Sequence, residues 1–441
     1  MATERDVAPI GDKSVDAAGG GWAPGFWRSF GPGLLWAATA IGVSHLVQAT
    51  RAGATLGFGL TGVILLALIL KYPFFEYGPR YAAATGMSLI EGYQRIGRWA
   101  LWLYLAVILS IAVFTQGAIL LFSSHLFLAA FGLEWSVTAT TAGIYAICGV
   151  ILIKGRFRAL ELTIKVMLAA LALCTLFAAA LVLPRADFST ISLAWPAAGT
   201  VTFGFLLALM GWMPSDIAAS VYSSLWTLAK DQETGERASV RVARTDFMVA
   251  YGATTLLVFA FLIIGAAVMY GSGVEFSGEG AVFSMQLVDL YTATIGAWVR
   301  PVVIVLALVT MFSTALTVLD GFPRVIDRAV TLLRVGDPRK TIGREPGNPY
   351  WISFTILGLM VVSLLGFFRG GLTTMVDFAT GLAFVMGPIL GYLNLRAVTS
   401  EDMPEAFRPG PAMRAYSYVG LLLLGGIAVV FLVAQVTTIG G

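Results

Sequence analysis

The stretch ATAIGVSHLVQATRAGA, residues 38–54, begins as an apolar run and then sets a glycine, a serine and a histidine where lipid-facing side chains belong. FLLALMGWMPSDIA, residues 205–218, does the same with a proline, a serine and an aspartate. The interruptions read Gly42-Val43-Ser44-His45 and Met213-Pro214-Ser215-Asp216, which puts His45 and Asp216 in equivalent places. Glycine weakens a helix and proline removes a backbone donor, so both segments are expected to unwind. Ionisable groups inside apolar runs are costly and point to function by default. An imidazole, a thioether and a carboxylate (His45, Met213, Asp216) form a borderline-to-soft donor set, better suited to manganese, iron or zinc than to calcium or magnesium. The bland reading is that His45 and Asp216 pair with each other and that Met213 is core filler.

The elements that must position these groups are apolar helices. Of 441 residues, 58% are hydrophobic and 12% charged, against about 25% charged in soluble chains. Eleven runs near the length that crosses a bilayer lie at 31–52, 56–79, 99–125, 136–153, 159–183, 200–225, 246–270, 293–320, 350–368, 372–395 and 415–437. The expected architecture is therefore an all-α polytopic membrane protein in the plasma membrane, with a polar, Gly-rich tail over 1–30 and no secretory signal peptide. Alternate inter-run loops carry 22 lysines and arginines, whereas the other set carries four: Arg51, Arg185, Arg300 and Arg369. This places the N-terminus in the cytoplasm and the C-terminus outside. The same distribution accounts for the net charge of +3, and no basic patch interleaved with aromatics points to nucleic acid. The segment 271–292 reads as an external loop whose Glu275, Glu279 and Asp289 either form an acidic vestibule for cations or are merely solvated. Cys148 and Cys174 fall inside apolar runs and read as inert core thiols.

The two interrupted segments are five runs apart and so enter the membrane from opposite sides, the relation expected of inverted repeats in secondary transporters. The repeats would span 31–183 and 200–395, with 415–437 as an additional helix. Unwound backbone at membrane depth survives where it lines a cavity or is buried in protein, so the site is expected between runs one and six.

Several local strings resemble the natural resistance-associated macrophage protein (Nramp) family of proton-coupled divalent-metal transporters. They are GPG at 31–33, QATRAGATLGF at 48–58, PRYAAATGMSLIEGY at 79–93, WMPSD at 212–216 and STALTVLDGF at 313–322. The resemblance implies a LeuT-type fold of eleven helices with 5+5 inverted repeats and broken helices 1 and 6. It also implies a site in which Asp and Asn of a first-span Asp-Pro-Gly-Asn motif and Met of a sixth-span Met-Pro-His motif bind the metal beside backbone carbonyls. Counted from GPG, Gly42 stands at the Asp position and His45 at the Asn position; Met213 is retained, Ser215 replaces the His, and the carbonyls would come from around Thr39 and Met210. In the third span Gln116 is the strongly polar residue where the family often carries acids.

The expected metal-binding groups are thus Met213, Asp216, His45, Met210 and Thr39, and the wider substrate cavity is expected to include Gly42, Ser44, Ser215, Asp377, Thr380 and Gln116. The implied activity is transport of a divalent cation as cargo, with a proton as coupling ion and no resident cofactor. The alternative is a small carboxylate or amino acid held at the N-terminal end of the half-helix from Ser44 onward, where protonated His45 would help. A sensor or structural role stays open, and an enzyme is disfavoured because His45 and His125 have no nucleophile or cofactor motif beside them. Glu161/Lys165 and Asp320/Arg324 read as intrahelical pairs, and Lys71 and Glu76 as structural or part of an inner gate.

Overall fold

The computed structural model describes residues 31–154, 157–273, 275–337, 347–368 and 371–439, with side chains described at all of these except 154–165, 167 and 435–439. The 1–30 tail, the Glu161/Lys165 pair and the basic residues Arg339, Lys340, Arg344 and Arg369 lie outside the described residues or side chains. The described chain is helical, without a strand. In order the helices are α1 (Pro32–Ala40), α2 (Thr50–Leu56), α3 (Thr61–Thr85), α4 (Leu89–Ile96), α5 (Arg98–Phe131), α6 (Val137–Lys154), α7 (Phe157–Val182), α8 (Phe203–Gly211), α9 (Ala219–Thr234), α10 (Val240–Val268), α11 (Gly280–Ile295), α12 (Arg300–Val335), α13 (Asn348–Phe367), α14 (Leu372–Val398) and α15 (Pro411–Ile439). Among the described residues eight helices are long and apolar enough to cross a membrane, and Val137–Ile153 is a shorter apolar helix.

The first and sixth runs are the ones that break. After α1 the chain turns through Ile41–Val43 and resumes as a π-helical segment, Ser44–Ala49, that leads into α2. A Cβ on Gly42 would lie 2.7 Å from the Thr314 side chain, so the turn packs against α12 with no room for a larger residue. Thr314 Oγ1 stands 3.1 and 3.2 Å from the carbonyls of Ala38 and Ile41, which the break leaves without helical donors. The sixth run is open from Trp212 to Ala218, between α8 and α9. Two of its carbonyls, on Met213 and Ser215, accept from Lys71 of α3.

The broken elements are braced from outside. Asp246 on α10 accepts from the backbone N–H groups of Gly31 and Gly33 at 3.3 and 2.7 Å, a carboxylate on the positive end of α1. Trp36 of α1 is fully buried among Phe75, Phe247 and Tyr251, with ring centroids 5.2, 5.1 and 5.6 Å away. Further along, Gly53 of α2 and Gly265 of α10 meet reciprocally: an added Cβ on either would lie 2.2 Å from a carbonyl oxygen of the other helix. Small residues let helices approach this closely in a membrane, where lipid tails are as apolar as leucine.

Two expectations change. The segment read as the external loop 271–292 is mostly α11, whose Phe283, Leu287, Val288 and Tyr291 repeat at helical spacing and are buried. Its Asp289 pairs with Arg300 at 2.6 Å on the surface. The eighth run continues as α12 to Val335, well past 320, because the added turns are amphipathic and their Arg324 and Arg328 are engaged in ion pairs. Arg324 pairs with Asp320, as the spacing suggested, and Arg328 pairs with Glu91 of α4. Glu76 is fully buried between Arg80 and Arg244. Cys148 and Cys174 are both free thiols.

Candidate functional site

A small cavity lies where the two breaks meet. Thr39, Ala40, Val43 and Ser44 line it from the first break, Trp212, Ser215 and Asp216 from the second, and α5 and α12 close the sides through Thr115 and Thr314. Ser44 Oγ reaches the Pro214 carbonyl at 3.2 Å, so the two breaks touch through one hydroxyl. Asp216 Oδ1 accepts from Ala219 N at 3.0 Å and thereby holds the start of α9. A carboxylate is favoured at a helix N-terminus. On the cavity wall Thr115 Oγ1, Trp212 Nε1 and the Tyr222 hydroxyl are buried without a hydrogen-bond partner in the protein. Buried polar atoms nearly always have partners, so this wall is suited to a polar or hydrated ligand.

Of the residues expected in the site, Thr39, Ser44, Ser215 and Asp216 line the cavity. Gly42 lies behind its wall, against Thr314. Met210 and Met213 are fully buried, and their carbonyls turn toward Lys71. Gln116, next to the wall residue Thr115, is buried with neither amide atom hydrogen-bonded.

His45 does not face Asp216 across the cavity. It is fully buried against α10, with Nε2 3.1 Å from the Thr254 carbonyl, Nδ1 2.7 Å from Ser44 Oγ, and its ring edge-on to Phe261. A carbonyl can only accept, so Nε2 carries the proton and in the neutral ring Nδ1 accepts from Ser44. Neither nitrogen presents a free lone pair to a metal. Asp377 and Thr380 are likewise engaged elsewhere. Asp377 takes a bidentate pair from Arg51, at 2.7 and 3.2 Å, and a bond from Gln48, while Thr380 Oγ1 bonds back to the Val376 carbonyl. Arg51 also lies 4.7 Å from the centroid of the Phe205 ring, so this cluster clasps α2, α8 and α14 together. Among the described residues no three or more His, Cys, Asp or Glu gather as a metal cluster.

The residue that sequence reasoning undervalued is Lys71 of α3, 2% exposed. Its Nζ donates to the carbonyls of Met210, Gly211, Met213 and Ser215 at 3.0, 2.8, 3.1 and 2.5 Å. The signal was present: a lone lysine inside an apolar run is a functional hypothesis in its own right.

An all-helical membrane protein with two apolar segments broken face to face, and a polar cavity at their meeting point, has the LeuT-type transporter fold. The Nramp model, described as natural resistance-associated macrophage protein-like, matches residues 33–434, and the chain belongs to that family. It is 30% identical over 419 residues to the uncharacterized protein PM0681 of Pasteurella multocida, covering 93% of each chain. Among solved structures it is similar to a mutant of the Eremococcus coleocola manganese transporter, with a TM-score of 0.73, 14% identity, and 97% and 91% of the two chains covered. A Na+-coupled sialic acid symporter in a substrate-bound outward-open state matches with a TM-score of 0.58 and 12% identity over 91% and 88% of the chains. The family consists of membrane transporters, and a metal ion is the cargo it implies.

Proposed function

We propose that this chain is a secondary active transporter that moves a divalent metal cation through the cavity between the two breaks by alternating access, with a proton as the coupling ion. The observation that carries the reading is the position of Asp216: a carboxylate on the unwound segment, in the wall of a cavity otherwise lined by hydroxyls and apolar groups. A cation entering there meets Asp216 and the oxygens of Thr39, Ser44 and Thr115. With His45 turned to α10, this set is harder than the sequence suggested, and carboxylate, hydroxyl and water oxygens suit manganese or magnesium better than softer metals. Few protein ligands are offered, so the cation keeps much of its water. Protonation of Asp216 removes the negative charge that the cation needs, which gives one group two exclusive occupants, a metal or a proton.

Eleven crossings follow if each broken segment counts as one and the Val137–Ile153 helix as another beside the eight long ones. The basic-residue distribution then sets the N-terminus in the cytoplasm and the C-terminus outside the plasma membrane.

The test is uptake into proteoliposomes of manganese, cadmium and magnesium, and of a panel of amino and carboxylic acids, with and without a proton gradient. Metal uptake that responds to the gradient and is lost in Asp216→Asn is expected. Uptake of an organic acid, unimpaired in Asp216→Asn, would replace this reading with transport of a small organic solute.

A further inference from the structure

Four carbonyl oxygens from one six-residue stretch, 210–215, converge on the Lys71 ammonium. An ammonium has three protons, so four oxygens cannot each receive a linear hydrogen bond. The arrangement is that of an ion among dipoles. Two of the oxygens, on Met210 and Gly211, belong to the last residues of α8, the negative end of that helix. The other two, on Met213 and Ser215, are freed by the break. Lys71 and Asp216 interact electrostatically, and the Phe75 ring centroid lies 5.7 Å from Nζ, within cation–π reach. Carbonyls at membrane depth need a partner, and here a single charge serves all four.

We infer that residues 210–215 form a monovalent-cation site which the protein fills with its own ammonium, and that once the Lys71 amine is removed the site takes a free ammonium or potassium ion. The oxygen distances, 2.5–3.1 Å, fit an ammonium or an ion of its size. They are wider than the roughly 2.0–2.1 Å of magnesium and mostly wider than the roughly 2.3–2.6 Å of calcium. The tether has a consequence for the transport cycle: the second break keeps its shape whatever the salt, without drawing on an ion from either side of the membrane. Lys71 is a positioning residue on this view, holding Ser215 and, through the same turn, Asp216 at the cavity wall.

The full chain in detergent tests this without any transport measurement, so its outcome and that of the metal-uptake experiment are independent. Thermal unfolding is followed for wild type, Lys71→Ala and Lys71→Met in ammonium, potassium, methylammonium or choline chloride at equal ionic strength. Wild type should unfold at the same temperature in all four. Both variants should unfold earlier in choline and recover most of the lost Tm in ammonium or potassium, rising with the logarithm of concentration as specific binding requires. Methylammonium should help Lys71→Ala more than Lys71→Met, whose longer side chain occupies the stem's path. The inference is overturned if neither variant distinguishes choline from ammonium and potassium, if wild type is stabilised by them equally, or if neither variant yields folded protein in any of these salts.

Discussion

Ser44 Oγ lies 2.7 Å from His45 Nδ1 and 3.2 Å from the Pro214 carbonyl oxygen, with the Ala40 carbonyl competing for the same proton, so one hydroxyl sits where both breaks meet the histidine behind them. It has one proton to give. With Nε2–H committed to Thr254, the neutral imidazole leaves Nδ1 dependent on that proton. Ser44→Ala is therefore expected to lower stability by about 1–3 kcal/mol, the cost of stranding buried polar groups. It should also reduce the uptake rate through a less fixed pair of breaks. An unchanged Tm and uptake rate would mean that the hydroxyl links nothing.

The Gly42–Thr314 contact leads to a prediction about shape. A methyl group at Gly42 would sit 2.7 Å from both Oγ1 and Cγ2 of Thr314. Gly42→Ala should cost about 1–3 kcal/mol through overpacking. Thr314→Ala alone strands the Ala38 and Ile41 carbonyls, yet in the double variant it also makes room for the new methyl. The double-mutant cycle should show favourable coupling of at least about 0.5 kcal/mol. Strict additivity would place the strain elsewhere.

The Arg51–Asp377 pair is bidentate, and its side chains are 17% and 30% exposed, with Gln48 and the Phe205 ring completing the cluster. Partly exposed pairs contribute little on their own, typically under about 1 kcal/mol. The larger expected effect is on access. Arg51→Ala and Asp377→Ala should each speed the reaction of a cysteine introduced at Ser215 with a membrane-impermeant thiol reagent from the side on which the clasp lies. An unaltered labelling rate in both would show that the cluster does not gate the cavity.

How far the site was legible in the sequence follows from helix geometry. The breaks were visible because glycine and proline act locally, at Gly42 and Pro214. Which side chain faces the cavity was not, because neighbours on a helix point about 100° apart. Ser44 looks inward and His45 looks to α10, a difference decided by packing against Thr254 and Phe261 more than two hundred residues away in the chain. The Lys71 cage is equally non-local, joining α3 to a turn some 140 residues later. Asp377 was misplaced for the same reason: its partner Arg51 lies 326 residues away. Glu275 and Glu279 just before α11 and Asp289 on its exposed face obscured an apolar stripe that periodicity alone would have exposed.

Asp231 gives a prediction away from the membrane-spanning segments. It lies near the end of α9, 4% exposed, with Oδ1 accepting from the backbone N–H of Ala238 at 2.9 Å. Burial pushes its carboxyl up to about 7, and the Ala238 hydrogen bond and the Arg237 charge offset this only in part. The folded state therefore holds a proton on Asp231 that the unfolded chain, with an ordinary carboxyl near 3.8, has already released. Because the folded state binds more protons, stability must fall as pH rises from about 4 to 7, after which the penalty is complete. Each pH unit crossed between those two values costs about 1.4 kcal/mol, so the loss above neutrality is on the order of 4 kcal/mol. Asp231→Asn keeps an oxygen for Ala238 and removes the ionisation. Unfolding of wild type and variant should thus coincide near pH 4 and separate steadily up to pH 7, with the variant the more stable. Parallel stability curves across that range would show that Asp231 is ionised in the folded protein at no cost.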